Sequence, residues 1–166
     1  RKNKLINIVF SSTAAAYGHN NDNSIDENTI LNPQNPYAQS KIDTENFLFK
    51  NNEVFKFIIL RYFNVAGADT QLRSGQISEQ STHLIKILSE VAIGKKESIE
   101  IYGNDYNTHD GTAIRDYIHV SDLADIHVEV AKYLIKKSES NLFNCGYGKG
   151  YSVLDVINTT NKLIKN

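Results

Sequence analysis

The sequence predicts an α/β fold, with a largely parallel sheet flanked by helices. Three observations carry this. Short apolar runs alternate with longer segments of helical periodicity. The strand-like runs are mostly apolar, and Leu5 to Phe10 is apolar enough to need cover on both faces. The 166 residues, 40% apolar and 22% charged, make one ordinary domain able to bury a core.

Leu5 to Phe10 reads as the first strand and ends in Ser11-Ser12-Thr13. The polar stretch from His19 to Asn35, closed by Pro33 and Pro36, reads as an irregular loop. Pro36 then opens a helix that runs to about Asn51, because its missing N–H costs nothing in a first turn. Phe57 to Tyr62 is a second buried strand, and residues 63–79 read as loop. Leu84, Ile87, Leu88 and Val91 recur at helical spacing until Gly94. Ser98 to Tyr102 reads as a short strand, and Gly103 to Thr112 as a polar loop. Tyr117 to Val120 is extended, and Ser121 caps a helix with Leu123, His127, Val130 and Leu134 on one face. Leu142 to Cys145 is the last strand. After the Gly146–Gly150 loop, Ser152 and Asp155 make a capping-box pattern; Val153, Val156, Ile157, Thr160 and Ile164 line that helix's inner face. No repeat or linker divides the chain, so residues 1–166 are expected to form one unit.

Composition narrows the function. A net charge of -1 offers no basic surface for a nucleic-acid backbone. The lone Cys145 reads as a small buried hydrophobe and fits a reducing, cytoplasmic compartment. No apolar run reaches the roughly 18 to 20 residues of a membrane span, and no signal-peptide pattern opens the sequence. Methionine is absent and residue 1 is Arg, so the chain reads as processed or as part of something longer. His19, His83, His109, His119 and His127 are dispersed without ligand spacing, so no metal is expected. His119 and His127 read as packed or capping residues.

Tyr37 and Lys41 are four residues apart near the start of the first helix, which puts them on one face about 5–6 Å apart at Cβ. A phenol has a pKa near 10 and is a poor base at neutral pH. A neighbouring ammonium favours the phenolate and yields a base for an alcohol proton. By itself the pair also reads as a surface aromatic and a solvated lysine. Ser11, Ser12 and Thr13 add context, since they end a strand where ligands bind in open α/β sheets. A hydroxyl there reaches the same substrate oxygen or is satisfied by backbone. Arg115 is one of four arginines. It reads either as a fork for phosphate oxygens or as an ion pair with Asp110 or Asp116.

Three stretches, Phe10 to Gly18, Pro36 to Lys41 and Leu60 to Ala68, resemble the extended short-chain dehydrogenase/reductases. A fourth is more specific: Ile101-Tyr102-Gly103-Asn104-Asp105-Tyr106, Asp110-Gly111-Thr112, then Arg115 to Val120 and Asp122-Leu123-Ala124. Within that superfamily the chain resembles the UDP-glucose 4-epimerase family along its whole length. The resemblance implies a Rossmann-like fold, NAD as cofactor, and interconversion of UDP-glucose and UDP-galactose by transient oxidation at sugar C4. It implies Tyr37 as base and Thr13 as hydroxyl partner of the 4-hydroxyl. Lys41 then tunes the base and holds the nicotinamide ribose, with Tyr62 and Ser11 also on the coenzyme. Asn64, His83, Leu84, Tyr102 and Arg115 fall on the uridine diphosphate. As partners it implies a UDP-sugar, and either a homodimer or a chain supplying the coenzyme-binding half.

One part of that pattern is not found. No Gly-rich turn for a pyrophosphate precedes the Tyr–Lys helix. The Gly146-Tyr147-Gly148-Lys149-Gly150 loop has Tyr151 in the third glycine's place and reads as a tight connection. The chain is thus expected to be the central part of an epimerase, without the N-terminal coenzyme-binding half and the C-terminal segment. The rivals are a 4,6-dehydratase, opposed by Ala14 and Ala15 where that group carries an Asp-Glu pair, and a non-catalytic nucleotide-sugar-binding remnant.

Overall fold

The computed structural model describes residues 6–19 and 24–164. Leu5 of the first expected strand and residues 20–23 of the expected loop lie outside these. In chain order the elements are β1 (Asn7–Thr13), a 3-10 turn (Ala14–Tyr17), α1 (Pro36–Lys50), β2 (Lys56–Tyr62), β3 (Asn64–Ala66) and α2 (Leu84–Ala92). Then follow β4 (Ile114–His119), α3 (Val120–Lys137), β5 (Asn141–Cys145), β6 (Gly150–Ser152) and α4 (Val153–Ile164).

Two small sheets result. The first is parallel throughout, in the order β1-β2-β5, with Thr13 opposite Tyr62 and Tyr62 opposite Cys145. The second has the order β3-β4-β6, with β3 and β4 parallel and β6 antiparallel to β4. This is a partial Rossmann-like arrangement.

β2 explains why the first sheet forms. Phe57, Ile58, Ile59 and Leu60 are fully buried. Successive side chains of a strand point to opposite faces. Phe57 and Ile59 pack with Leu48 of α1, while Ile58 and Leu60 pack with Leu123 and Leu134 of α3. A strand covered by helices on both sides is apolar over its covered stretch, as Phe57–Leu60 are here, and the buried Arg61 that follows is paired with Glu45 of α1. Ile118 of β4 and Cys145 of β5 join the α3 cluster, so α3 ties the two sheets together. Among the described residues β1 pairs only with β2, which leaves its other edge open.

Local signals set several boundaries. The Asn35 side chain accepts the Ala38 N–H at 2.8 Å, and Pro36 stands in the first turn of α1. Ser152 and Asp155 bond reciprocally at the start of α4, at 3.0 and 2.9 Å, as a capping box does. Of the expected inner face of that helix, Val153, Val156, Ile157 and Thr160 are half-buried and Ile164 is exposed.

Other boundaries differ from expectation. Residues 98–102 form no strand, because nothing pairs with them among the described residues. β3 forms inside the expected loop, because β4 supplies a partner. β6 forms at the end of the Gly146–Gly150 loop for the same reason. His119, not Ser121, caps α3: its Nδ1 accepts the Ser121 N–H at 3.2 Å.

Candidate active site

The register of the first sheet places Thr13, Tyr62 and Cys145 level with one another at its C-terminal edge. Ligands bind outside this edge in open α/β sheets. The three hydroxyl residues that end β1 have separate tasks. Ser12 is fully buried and donates to Glu45. Ser11 is half-buried, with its oxygen 3.5 Å from His127 Nε2. Thr13 Oγ1 accepts the Ala15 N–H at 3.2 Å, which starts the 3-10 turn. A hydroxyl that accepts from backbone keeps its own proton for another acceptor. The expected bond to backbone is thus present at Thr13, and it leaves the hydroxyl proton free.

Gly18 ends that turn at φ 65, where a Cβ would lie 1.9 Å from the Asn32 carbonyl oxygen. Asn32 N–H in turn donates to Ala16 O at 3.0 Å. The loop is thereby drawn back over the end of β1 before α1 begins.

Tyr37 is half-exposed at the start of α1, and Lys41 follows one turn later on the same side. Lys41 Nζ lies 5.7 Å from the Tyr37 ring centre and 5.2 Å from that of Phe10. It donates to the Ser11 carbonyl oxygen at 2.9 Å. The ammonium is thus anchored by β1 backbone beside the phenol.

One cavity opens at this edge and a second adjoins it. The larger, of about 1040 Å³, is lined by Thr13, Tyr37, Tyr62, Asn64, His83 and Leu84, among others. The second, of about 610 Å³, is lined by Asn64, His83, Leu84, Tyr102 and Arg115, among others. Eight of the ten expected site residues line one or both of these cavities, and Asn64, His83 and Leu84 line both. Ser11 and Lys41 line neither cavity; both are half-buried beside Thr13 and Tyr37.

Arg115 forms no ion pair with Asp110 or Asp116. Its Nη1 donates to the Ile114 carbonyl at 2.7 Å, and the residue is exposed. Both candidate carboxylates are engaged elsewhere. Asp116 accepts the N–H groups of Tyr147 and Gly148 at 3.1 and 2.8 Å. Asp110 accepts from Thr112 and Ser152. The Gly146–Gly150 loop has thus given two N–H groups to Asp116, in keeping with a tight connection.

Tyr102 is 83% exposed, and its hydroxyl donates to Glu100 at 3.0 Å. Holding that proton for the Glu100 carboxylate raises the phenol's pKa above its usual value. The buried Glu90 stands at the wall of the larger cavity, with its carboxylate below the ordinary range because Lys86 and Lys96 bond it.

Sequence reading missed Tyr117, which lines both cavities. The signal was available: Arg115 and Tyr117 sit two apart on β4 and so share a face. Burial pushes the Tyr117 phenol up, and Arg115 draws it part of the way back. The structure also brings His109 within 3.5 Å of Asp110 and 3.6 Å of Asp155, which dispersed sequence positions do not announce. Hydrogen bonds to Thr112 and Ser152 account for both carboxylates there.

The family profile described as "NAD dependent epimerase/dehydratase family" matches residues 1–146. A UDP-glucose 4-epimerase from Azospirillum brasilense is 49% identical over 154 residues, covering 92% of this chain and 44% of that protein. The chain spans about half the length of the curated relatives it matches. A solved UDP-glucose 4-epimerase from Bifidobacterium longum, in complex with NAD+ and UDP, superimposes with a TM-score of 0.91 at 36% identity, covering 99% of this chain and 50% of that one. A UDP-Glc/GlcNAc 4-epimerase from Campylobacter jejuni gives a TM-score of 0.74 at 45% identity, covering 97% and 50%. With the edge geometry and the profile in agreement, the chain belongs to the NAD-dependent epimerase/dehydratase family.

Proposed function

We propose that the chain is the central part of an enzyme interconverting UDP-glucose and UDP-galactose. One observation carries this reading. Thr13, Tyr37 and Tyr62 line one cavity, Tyr102 and Arg115 line a second, and Asn64, His83 and Leu84 line both. A nucleotide sugar has the matching order: an alcohol to deprotonate, an anionic diphosphate, and a flat base.

The nicotinamide end of NAD fits Ser11, Tyr37, Lys41 and Tyr62, which offer hydroxyls and an ammonium at the strand edge. The pyrophosphate end finds no cradle among the described residues, since Asp116 takes the N–H groups of the one glycine loop that opens towards a helix. A coenzyme-binding half would supply that part of the site. The open edge of β1 is the place for it, by pairing with a strand of a coenzyme-binding half; a second copy of the chain is the other candidate partner.

When bound, NAD supplies reversible hydride acceptance at sugar C4. Tyr37 takes the 4-hydroxyl proton and later returns it. Lys41, fixed by the Ser11 carbonyl, keeps a positive charge beside Tyr37, which favours the phenolate that accepts this proton. Thr13 donates its free proton to the sugar oxygen as charge develops there. Arg115 forks onto the diphosphate, and Tyr102 lies against the base. Since NAD is regenerated, the net reaction is an epimerisation. The lone buried thiol suits the cytoplasm.

A second reading, a nucleotide-sugar-binding chain without catalysis, is favoured by the missing pyrophosphate cradle. A coupled UDP-galactose to UDP-glucose assay separates them, with mass spectrometry for retained NAD. We expect UDP binding but no turnover from residues 1–166 alone, and turnover once a polypeptide supplying the coenzyme half is paired with them. UDP binding without turnover in the paired sample supports the second reading. Failure to bind UDP refutes both.

A further inference from the structure

His127 is held at both ring nitrogens. Nδ1 lies 2.8 Å from the Leu123 carbonyl oxygen, and Nε2 lies 3.5 Å from Ser11 Oγ. Its ring centre is 6.2 Å from that of Tyr62. A carbonyl oxygen can only accept, so Nδ1 carries the proton. In the neutral imidazole Nε2 is then an acceptor, and the Ser11 hydroxyl must be the donor. Two lone pairs remain on Ser11 Oγ, and no proton. The same residue's backbone carbonyl accepts Lys41 Nζ at 2.9 Å. Ser11 is therefore fixed through its side chain by α3 and joined through its main chain to the lysine.

We propose that His127 is a positioning residue acting through Ser11. By taking the hydroxyl proton it makes Ser11 Oγ a pure acceptor, matched to an N–H or O–H donor such as the primary carboxamide or a ribose hydroxyl of the coenzyme. This rests on the reading of the strand edge as a coenzyme site. It assigns to His127 a task that its helical spacing alone, which reads as packing, does not reveal.

The test uses the 166-residue chain paired with a polypeptide that supplies the coenzyme half. Long-range ¹H–¹⁵N spectra of the imidazoles read the tautomer directly. We expect neutral His127 protonated at Nδ1, with the Nε2 signal moving in Ser11→Ala. NAD is then titrated to millimolar concentration. His127→Leu should weaken NAD binding about three- to tenfold, the worth of one neutral hydrogen bond, while His127→Gln recovers part of the loss. UDP affinity should be the same in all three. A proton on Nε2 overturns the proposal, as does unchanged NAD affinity in His127→Leu or no NAD-induced shift at Ser11 in the parent chain. Failure of the parent chain to bind UDP overturns the epimerase reading instead and leaves the tautomer result to judge the His127–Ser11 link.

Discussion

Arg61 of β2 and Glu45 of α1 are joined by a buried two-pronged ion pair. Arg61 Nε donates to Glu45 Oε1 at 3.0 Å and Nη2 to Oε2, with the two side chains 5% and 2% exposed. The pair is the centre of a network. Ser12 donates to Glu45, Arg61 Nη1 to Tyr17 Oη at 3.0 Å, and Tyr17 to Asn144 at 2.6 Å. It fastens the helix that carries Tyr37 and Lys41 to the strand that carries Tyr62.

Breaking a buried pair leaves one charge without compensation, which costs about 3–5 kcal/mol. Glu45→Ala should lower unfolding stability by about that amount. Urea denaturation monitored by circular dichroism checks this. A loss below about 1 kcal/mol, the scale of an exposed pair, would contradict the buried geometry.

Tyr37→Phe keeps the ring and removes the proton acceptor. In the chain paired with a coenzyme half, turnover should fall by two or more orders of magnitude, the range of acid–base catalysis. UDP affinity, read by calorimetry, should stay within about twofold because the diphosphate path is untouched. Retained turnover would remove Tyr37 from the chemistry.

Arg115→Lys preserves charge and loses the fork. Affinity for UDP should drop about tenfold, since a point charge cannot make two parallel bonds to phosphate. Parent-like UDP affinity would leave Arg115 outside the ligand path.

Cys145 is 4% exposed, and burial pushes its thiol up to about 11, helped by Glu27. Thiolate is the reactive form, so the folded chain should resist a thiol reagent at pH 8 and react fully in urea. The measurement is the ratio of the two labelling rates. Equal rates would mean that β5 is open in the folded chain.

Acid should weaken the start of α4 in a defined direction. Asp110 lies below its ordinary pKa, first because the Ser152 hydroxyl bonds it; Asp155 does so first through the Ser152 N–H. A carboxylate depressed in the folded state stabilises it above the unfolded value. That contribution is lost as pH falls through the folded value. Stability should therefore be flat near neutrality and decline below about pH 4. Ser152→Ala should make the decline shallower. Identical acid curves for the two proteins would mean that Ser152 does not tune these carboxylates.

Elements with a complete local signal were legible in the sequence. Asn35 and Pro36 start α1, the Ser152–Asp155 box starts α4, and the unbroken apolar run of β2 requires cover on both faces. Tyr37 and Lys41 share a side because helical spacing puts them there. Tertiary structure alone decided the short strands. Three-residue β3 and β6 exist because β4 offers them partners, and residues 98–102 stay irregular for want of one, since strand preference is mostly a preference for neighbours. The resemblance of the motifs supplied the ten candidate site residues, eight of which line the two cavities. Only folding could set the cavity of Thr13 beside that of Arg115, give Glu45 its buried arginine, and set His127 against Ser11. Those contacts join residues far apart in the chain, and no local pattern encodes which distant polar group will satisfy a buried one.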